Sequence, residues 1–86
     1  MASRLTLKYD QIGDILYMET CPPYAEQESD ELDDEIIARS NPETGQIESL
    51  EILFFSTRLR DGTWQLPVTA EMYPLKPFDD DGAESN

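Results

Sequence analysis

The sequence predicts a mainly β fold, either all-β or a small α+β domain. We expect an antiparallel meander of about four strands built from two hairpins, with a short helix or an extended C-terminal segment packed on it. Two observations predict this fold. Two blocks, residues 5–20 and 36–55, hold most of the apolar residues and largely alternate them with polar ones, as strands with one buried face do. Within each block, a group of turn-forming residues separates two strand-like arms.

The first block is predicted to be a hairpin. Its first arm, residues 5–9, places three apolar side chains on one face. Residues 10–14 form the break, because Gly13 is able to take a positive φ and aspartate bonds the backbone ahead of it. The second arm, residues 14–20, carries four consecutive apolar residues. Such a run is typical of a central strand covered on both faces, or of a strand at a dimer contact.

The second block predicts a second hairpin. Its third strand is expected over residues 35–40, followed by a turn at residues 41–45 in which Gly45 suits a left-handed bulge position. The fourth strand, residues 46–55, shows the clearest alternation in the chain. Its two faces are Leu50, Ile52 and Phe54 against Ser49, Glu51 and Leu53. Since it is longer than most strands, we expect its end to bend or to leave the sheet.

The stretch between the two hairpins is predicted to be a loop. Pro22 and Pro23 end the second strand, because neither can donate a hydrogen bond to a sheet ladder. Carboxylates crowd residues 24–35, and like charges at this density oppose compaction. We therefore expect a solvated acidic loop over about residues 22–34, with room for a short frayed helix.

The residues after the fourth strand are compatible with two structures. Ser56 could cap a short helix that Asp61 and Gly62 end. Alternatively, the strand continues to Leu59, and Asp61 with Gly62 forms a hairpin turn. In either case Trp64 is expected to pack on the sheet or on a neighbouring subunit, since so large an aromatic side chain is costly to expose.

The length of 86 residues leaves room for one domain. We expect it to span residues 1–78, with residues 79–86 as a disordered acidic tail. A domain of this size buries only about 60 % of the surface that its unfolded chain exposes, so it is marginally stable alone. The single cysteine offers no internal disulfide. We therefore expect the chain to self-associate as a homodimer.

The charge of the chain favours some partners and excludes others. The net charge is −13, and ten acidic residues but no basic one lie between Lys8 and Arg39. Such a surface repels phosphate, so we expect no direct nucleic-acid binding and no attachment to an anionic membrane. A basic protein is the partner that electrostatics favours, although the charge also promotes solubility. Without a signal-like or membrane-spanning apolar run, the chain is expected to be soluble and cytoplasmic.

The candidate chemical groups each have a structural explanation. The chain has no histidine, which removes the commonest general base and zinc ligand. Asp10 and Asp14 could form an acid–base pair, but aspartate beside a tight turn usually caps it. Residues 30–35 could bind Ca²⁺ or Mg²⁺, but they lack the spaced ligands and central glycine of a calcium loop. Cys21 has no cation nearby to lower its pKa. The sequence thus predicts no catalytic, metal-binding or cofactor-binding residue, and no cofactor.

The basic and aromatic residues of the chain favour structural roles as well. Arg58 and Arg60, with Trp64, could make a small basic–aromatic patch, but on so acidic a protein we expect the arginines to pair with carboxylates. Four aromatic residues are expected to be core rather than a ligand cage: Tyr9, Tyr17, Phe54 and Phe55.

Three segments carry a resemblance to a known family: Lys8-Tyr9-Asp10, Asp14-Ile15-Leu16-Tyr17-Met18 and residues 45–53. Over about residues 5–59 the chain resembles the small bacterial domain-of-unknown-function family 2283. Its members have a strand ending in Tyr-Asp, then Asp-x-Leu-Tyr-Ile, an acidic gap and Gly-x-Ile-x-Gly-Ile-Glu-Ile-Leu. Ser49 stands where the family usually has the second glycine, so close backbone packing is not implied at that position. The resemblance implies a small antiparallel sheet with a helix or extension, no catalytic residue and an antitoxin-like role.

Two classes of function are compatible with these observations. The first is a non-catalytic protein–protein interaction module that binds a basic protein partner in an antitoxin-like or regulatory role. A mimic of nucleic-acid charge differs from it only in the partner. The alternative is a carboxylate-based protein or enzyme that binds a small ligand or a divalent cation. We expect the first class, and hence that the chain is not an enzyme.

Overall fold

The computed structural model describes residues 4–75. Within them lie five strands and one short helix. The elements are β1 (Thr6–Asp10), β2 (Ile15–Glu19), β3 (Glu28–Asp33), β4 (Ile36–Ser40), β5 (Ile47–Leu53) and α1 (Phe55–Arg58). The predicted tail at residues 79–86 lies outside the described residues, and the single-domain boundary stays a prediction.

The strands form one open antiparallel sheet in the order β1-β2-β5-β4-β3. The prediction of a mainly β, antiparallel fold with a short helix is confirmed. Both predicted hairpins are present, and β5 lies at the centre of the sheet, between β2 and β4. The two edges are β1 and β3.

The strand that the sequence did not predict is β3. It occupies residues that were predicted to form a loop, so that prediction is wrong for residues 28–33. The strand forms because β4 supplies an antiparallel partner for its backbone. All six of its side chains remain exposed, so its carboxylates stay in water while the backbone is paired. A high density of carboxylates is therefore compatible with an edge strand whose side chains all remain exposed.

The hydrophobic core lies on one face of the sheet. Pairing aligns Leu16, Ile52 and Ile36 across three strands, and Leu50 lies beside Ala38 one row further on. Ile36, Ala38, Leu50 and Ile52 are the buried residues of this core. Phe55, Trp64 and Leu66 pack against it from the C-terminal segment. The alternation along β5 thus predicted its buried face correctly.

The first turn is held by Asp10, as predicted. Its Oδ1 accepts hydrogen bonds from the backbone N–H of Ile12 at 3.1 Å and of Gly13 at 3.2 Å. The positive φ, however, belongs to Asp14 (φ 57°), so its assignment to Gly13 is wrong. Glycine is needed at position 13 for space, because a Cβ there would lie 2.9 Å from Oδ2 of Asp10.

The second turn matches its prediction closely. Gly45 has a φ of 77°, the left-handed conformation expected at a bulge. Its N–H donates to the carbonyl of Asn41 at 2.8 Å. The Asn41 side chain in turn accepts from the N–H groups of Glu43 and Thr44.

The helical alternative holds after β5, but the helix begins earlier than Ser56. Phe54 takes a left-handed conformation (φ 57°) that turns the chain out of the sheet, and α1 starts at Phe55. Gly62, with a φ of 92°, donates to the carbonyl of Leu59 after the helix. Trp64 then returns to the core, as predicted. Among residues 4–75, no helix is long and apolar enough to cross a membrane.

Candidate functional site

The outer edge of the sheet formed by β3 and the turn after it is densely acidic. Residues 28–35, which we call the acidic edge, contain six carboxylates and no basic residue. Every one of these residues is exposed. The acidic edge therefore presents a dense negative charge on a strand that only β4 pairs.

The carboxylates of the acidic edge have no cation to neutralise them within residues 4–75. The two ion pairs found there lie elsewhere: Lys8 with Glu19 at 3.1 Å, and Arg39 with Glu51 at 2.6 Å. Arg39 lies across from Ser29 in the β3–β4 ladder, yet its charge is taken by Glu51 on the other side. None of the six carboxylates is therefore in an ion pair among the described residues, although the guanidinium of Arg58 binds the backbone carbonyl of Asp34.

The turn that closes the acidic edge is fixed by its own carboxylates. Oε2 of Glu31 accepts a hydrogen bond from the N–H of Glu35 at 2.9 Å, and Oδ1 of Asp33 accepts one from the N–H of Asp34 at 2.8 Å. Glu35 takes a left-handed φ of 59°. These local bonds hold the backbone so that the charges are presented on a defined hairpin.

Two backbone carbonyls of the same turn accept hydrogen bonds from residues at or after the end of β5. The carbonyl of Asp34 accepts from Nη2 of Arg58 at 2.5 Å, and the carbonyl of Glu35 accepts from the N–H of Leu53 at 3.1 Å. A register shift between Glu31 and Asp33 adds a bulge at Leu32. Bulges and charges both oppose pairing of an edge with another strand. The acidic edge is thus protected against pairing with another strand, while its side chains remain exposed.

The carboxylates of the acidic edge are not gathered around a common point. Among residues 4–75, no group of three or more aspartate, glutamate or cysteine side chains is placed to hold a metal ion. Alternate residues of a strand point to opposite faces, which separates the carboxylates of β3. The predicted acidic cluster is thus present as a surface and not as a coordination shell.

Asp10 and Asp14 are near each other in sequence but have separate structural roles. The Asp14 carboxylate accepts from the hydroxyl of Tyr9 at 2.5 Å, and from the N–H and hydroxyl of Ser56 at 3.0 and 2.7 Å. These donors lower the pKa of Asp14, the Tyr9 hydroxyl most, and the same bond raises the pKa of Tyr9. Asp14 therefore ties the first turn to α1, and the turn capping that the sequence predicted for both aspartates is found only at Asp10.

Replacing Asp14 by asparagine is expected to destabilise the fold in a pH-dependent way. Asparagine tolerates the left-handed backbone but lacks the charge that the three donors favour. Since the folded pKa of Asp14 lies below its usual 3.8, its charge stabilises the fold above that value and loses its effect as pH falls through the folded pKa. The gap between the urea midpoints of the two proteins should be constant from pH 7 to 5 and narrow below pH 4. A gap that does not change with pH would contradict this role.

A second carboxylate network, absent from the sequence predictions, centres on Glu48. Its Oε1 accepts from the hydroxyl of Tyr24 at 2.7 Å and from Nε2 of Gln27 at 2.9 Å, and its Oε2 accepts from Nδ2 of Asn41 at 3.2 Å. The hydrogen bonds donated by Gln27 and Tyr24 lower the pKa of Glu48, and the bond that Tyr24 donates to Glu48 raises the pKa of Tyr24 to about 12. This network fastens the segment between β2 and β3 to the β4–β5 turn.

Cys21 lies beside this network and is not activated by it. Burial raises the pKa of its thiol, and the negative charge of Glu48 raises it further. A thiol held in its protonated form is a poor nucleophile. The raised pKa of Cys21 agrees with the lack of a nearby cation noted from the sequence.

The face of the sheet opposite the core carries five polar side chains that we call the polar face: Lys8, Tyr17, Glu19, Arg39 and Glu51. A shallow depression of about 430 Å³ lies among them, bordered by Pro23. Both cations there are already paired with carboxylates. The Nε of Arg39 has no partner, but it is shielded from solvent. The polar face therefore has no free cation to attract an anionic ligand.

Arg58 is paired, but not with the carboxylates that we expected. Its Nε donates to the carbonyl of Leu53 at 2.7 Å and its Nη2 to that of Asp34, while the guanidinium lies 5.0 Å from the centre of the Trp64 ring. Arg58 binds backbone carbonyls instead of carboxylates because the left-handed turn at Phe54 brings its side chain back over the end of β5.

The four aromatic residues expected in the core have different fates. Phe55 packs on the core, and its ring meets that of Tyr9 edge to face at 6.0 Å. Tyr9 and Phe54 are exposed, and Tyr17 lies on the polar face. The prediction of a core position holds for Phe55 and is wrong for Tyr9, which lies on an edge strand, and for Phe54, because β5 ends one residue before it.

The fold and its surfaces define a class: a small acidic protein with a single open antiparallel sheet and a C-terminal segment packed on one face. Residues 6–56, more than half of the chain, match the family described as Protein of unknown function (DUF2283), and the chain belongs to that family. No curated protein and no solved structure matches the chain.

Proposed function

We propose that this protein is a non-catalytic interaction module, active in the cytoplasm, whose acidic edge binds a basic surface of a partner protein in an antitoxin-like or regulatory role. The observation that carries the proposal is the charge of residues 28–35, six carboxylates on an exposed hairpin without a paired cation among the described residues. A cationic partner would supply the missing countercharge.

Binding of this kind would be governed by electrostatics. A dense single-sign surface accelerates encounter with an oppositely charged partner and is screened as salt rises. The fixed turn at residues 33–35 supports the proposal, since a preorganised charged hairpin loses little conformational freedom when it binds. The same charge opposes contact with phosphate backbones, so the partner is a protein and not a nucleic acid.

The test compares two variants with the same change in net charge. One neutralises β3 with Glu28→Gln, Asp30→Asn, Glu31→Gln and Asp33→Asn, which keep an oxygen acceptor at each position. The matched control neutralises four exposed carboxylates outside the acidic edge: Glu26→Gln, Glu43→Gln, Asp61→Asn and Glu71→Gln.

Each protein would be used as bait in an extract of its own cells at low salt, with retained proteins identified by mass spectrometry. We expect the original protein and the control to retain the same basic protein, salt to release it, and the β3 variant to lose it. Retention by the β3 variant equal to that of the control would show that the acidic edge is not the binding surface. If the original protein retains nothing, the proposed function is wrong.

A further inference from the structure

The two edges of the sheet differ in their protection. Unpaired edge strands are templates for pairing with another strand, and proteins block them with charges or bulges. β3 has both. β1 is less protected: it carries two charged residues, Lys8 and Asp10, of opposite sign, and its pairing with β2 shows no register shift. Three apolar side chains at this edge remain in water: Leu5 (50 % exposed), Leu7 (59 %) and Tyr9 (45 %).

We propose that β1 pairs antiparallel with β1 of a second copy, about a two-fold axis through Leu7. The two five-stranded sheets would join into one continuous sheet, with an acidic edge at each outer end. An isologous contact of this kind closes on itself, so it produces a dimer and not a fibre.

The register follows from symmetry and charge. In a continuous antiparallel sheet with a two-fold axis, paired residues share a face, so the axis passes through a single residue of the strand. An axis at Lys8 would place two ammonium groups opposite each other. An axis at Thr6 would place Arg4 opposite Lys8. Like charges directly opposed across strands are destabilising, so both registers are disfavoured.

An axis at Leu7 removes these conflicts. Arg4 of each copy then lies opposite Asp10 of the other, which pairs opposite charges at both ends of the contact. Between them Leu5 faces Tyr9 of the second copy, and Leu7 faces its own equivalent. This register extends the pairing beyond β1 (Thr6–Asp10) to the two residues before it, Arg4 and Leu5, so that residues 4–10 of each copy are paired.

The same register buries apolar surface on the correct face. Pairing with β2 places Tyr9 beside Leu16 and Leu7 beside Met18, so both lie on the face that carries the core. Joining two copies there extends the apolar face across the axis. This gain is useful to a domain that is too small to bury much of its own surface. The inference does not rest on the proposed function, because it uses the opposite edge.

Disulfide crosslinking of single-cysteine variants would identify the register. In a Cys21→Ser background, which removes the free thiol, Thr6→Cys, Leu7→Cys and Lys8→Cys would be oxidised under identical conditions. Position 7 faces itself only in the proposed register, position 6 only with an axis at Thr6, and position 8 only with an axis at Lys8. We expect the Leu7→Cys protein to form disulfide-linked dimers at least about tenfold faster than the other two.

Sedimentation of the full chain provides the second measurement. We expect a reversible, concentration-dependent dimer that Leu7→Lys weakens about tenfold, by placing two lysines on the axis. Leu32→Lys on β3 is the matched control and should leave the dimer unchanged. A monomer at all concentrations, a dimer lost only with Leu32→Lys, or fastest crosslinking at position 6 or 8 would each overturn the proposal.

Discussion

An Ile52→Ala protein is expected to lose about 2–5 kcal/mol of its free energy of unfolding, the usual cost of truncating a large buried aliphatic residue. Ile52 is 1 % exposed and lies on the central strand, level with Leu16 and Ile36 of its two neighbours. Small domains have total stabilities near the lower end of about 5–15 kcal/mol. The variant should therefore be substantially unfolded at 37 °C.

Urea denaturation followed by tryptophan fluorescence would measure this loss. Trp64 is the single tryptophan and packs against the core, so its emission reports on the sheet and on the C-terminal segment together. Ile12→Ala is the matched control, because it removes the same atoms from a side chain that is 99 % exposed. It should change the free energy of unfolding by less than about 0.5 kcal/mol. Equal losses in the two variants would mean that Ile52 is not in the core.

Local patterns predicted the parts of the fold that depend on local rules. The alternation in β5 identified Leu50 and Ile52 as buried, because successive side chains of a strand point to opposite faces. The turns at Asp10 and Gly45 were predictable because their side-chain and backbone requirements lie within a few residues.

The parts of the fold that could not be predicted depend on contacts between residues far apart in the sequence. β3 could not be predicted from its own residues, because the hydrogen bonds that make it a strand come from β4. Asp14 meets Ser56 across 42 positions, and Glu48 meets Tyr24 across 24. Neither pair has a spacing that a local rule recognises. The charge of the acidic edge was visible at once, but its presentation on an ordered hairpin was not.

Arg58 joins three regions that the sequence gives no reason to connect. One guanidinium binds the end of β5 through the carbonyl of Leu53, the β3–β4 turn through the carbonyl of Asp34, and the C-terminal segment through Trp64. The acidic edge and the segment that covers the core therefore share one anchor. Loss of this side chain should affect both at once.

An Arg58→Lys protein is accordingly expected to lose about 2 kcal/mol, since hydrogen bonds from a charged group contribute about 1.5–3 kcal/mol and lysine lacks the planar fork that reaches two carbonyls. Arg60→Lys is the matched control, because Arg60 is exposed and forms no ion pair among residues 4–75. Urea denaturation would give the free energies, and the native emission of Trp64 should shift to the red in the Arg58 variant alone, because its ring becomes more hydrated. Two variants with equal stability and unchanged emission would mean that the arginine does not anchor the segment. A stability loss without an emission shift would place its contribution at the two carbonyls and not at Trp64.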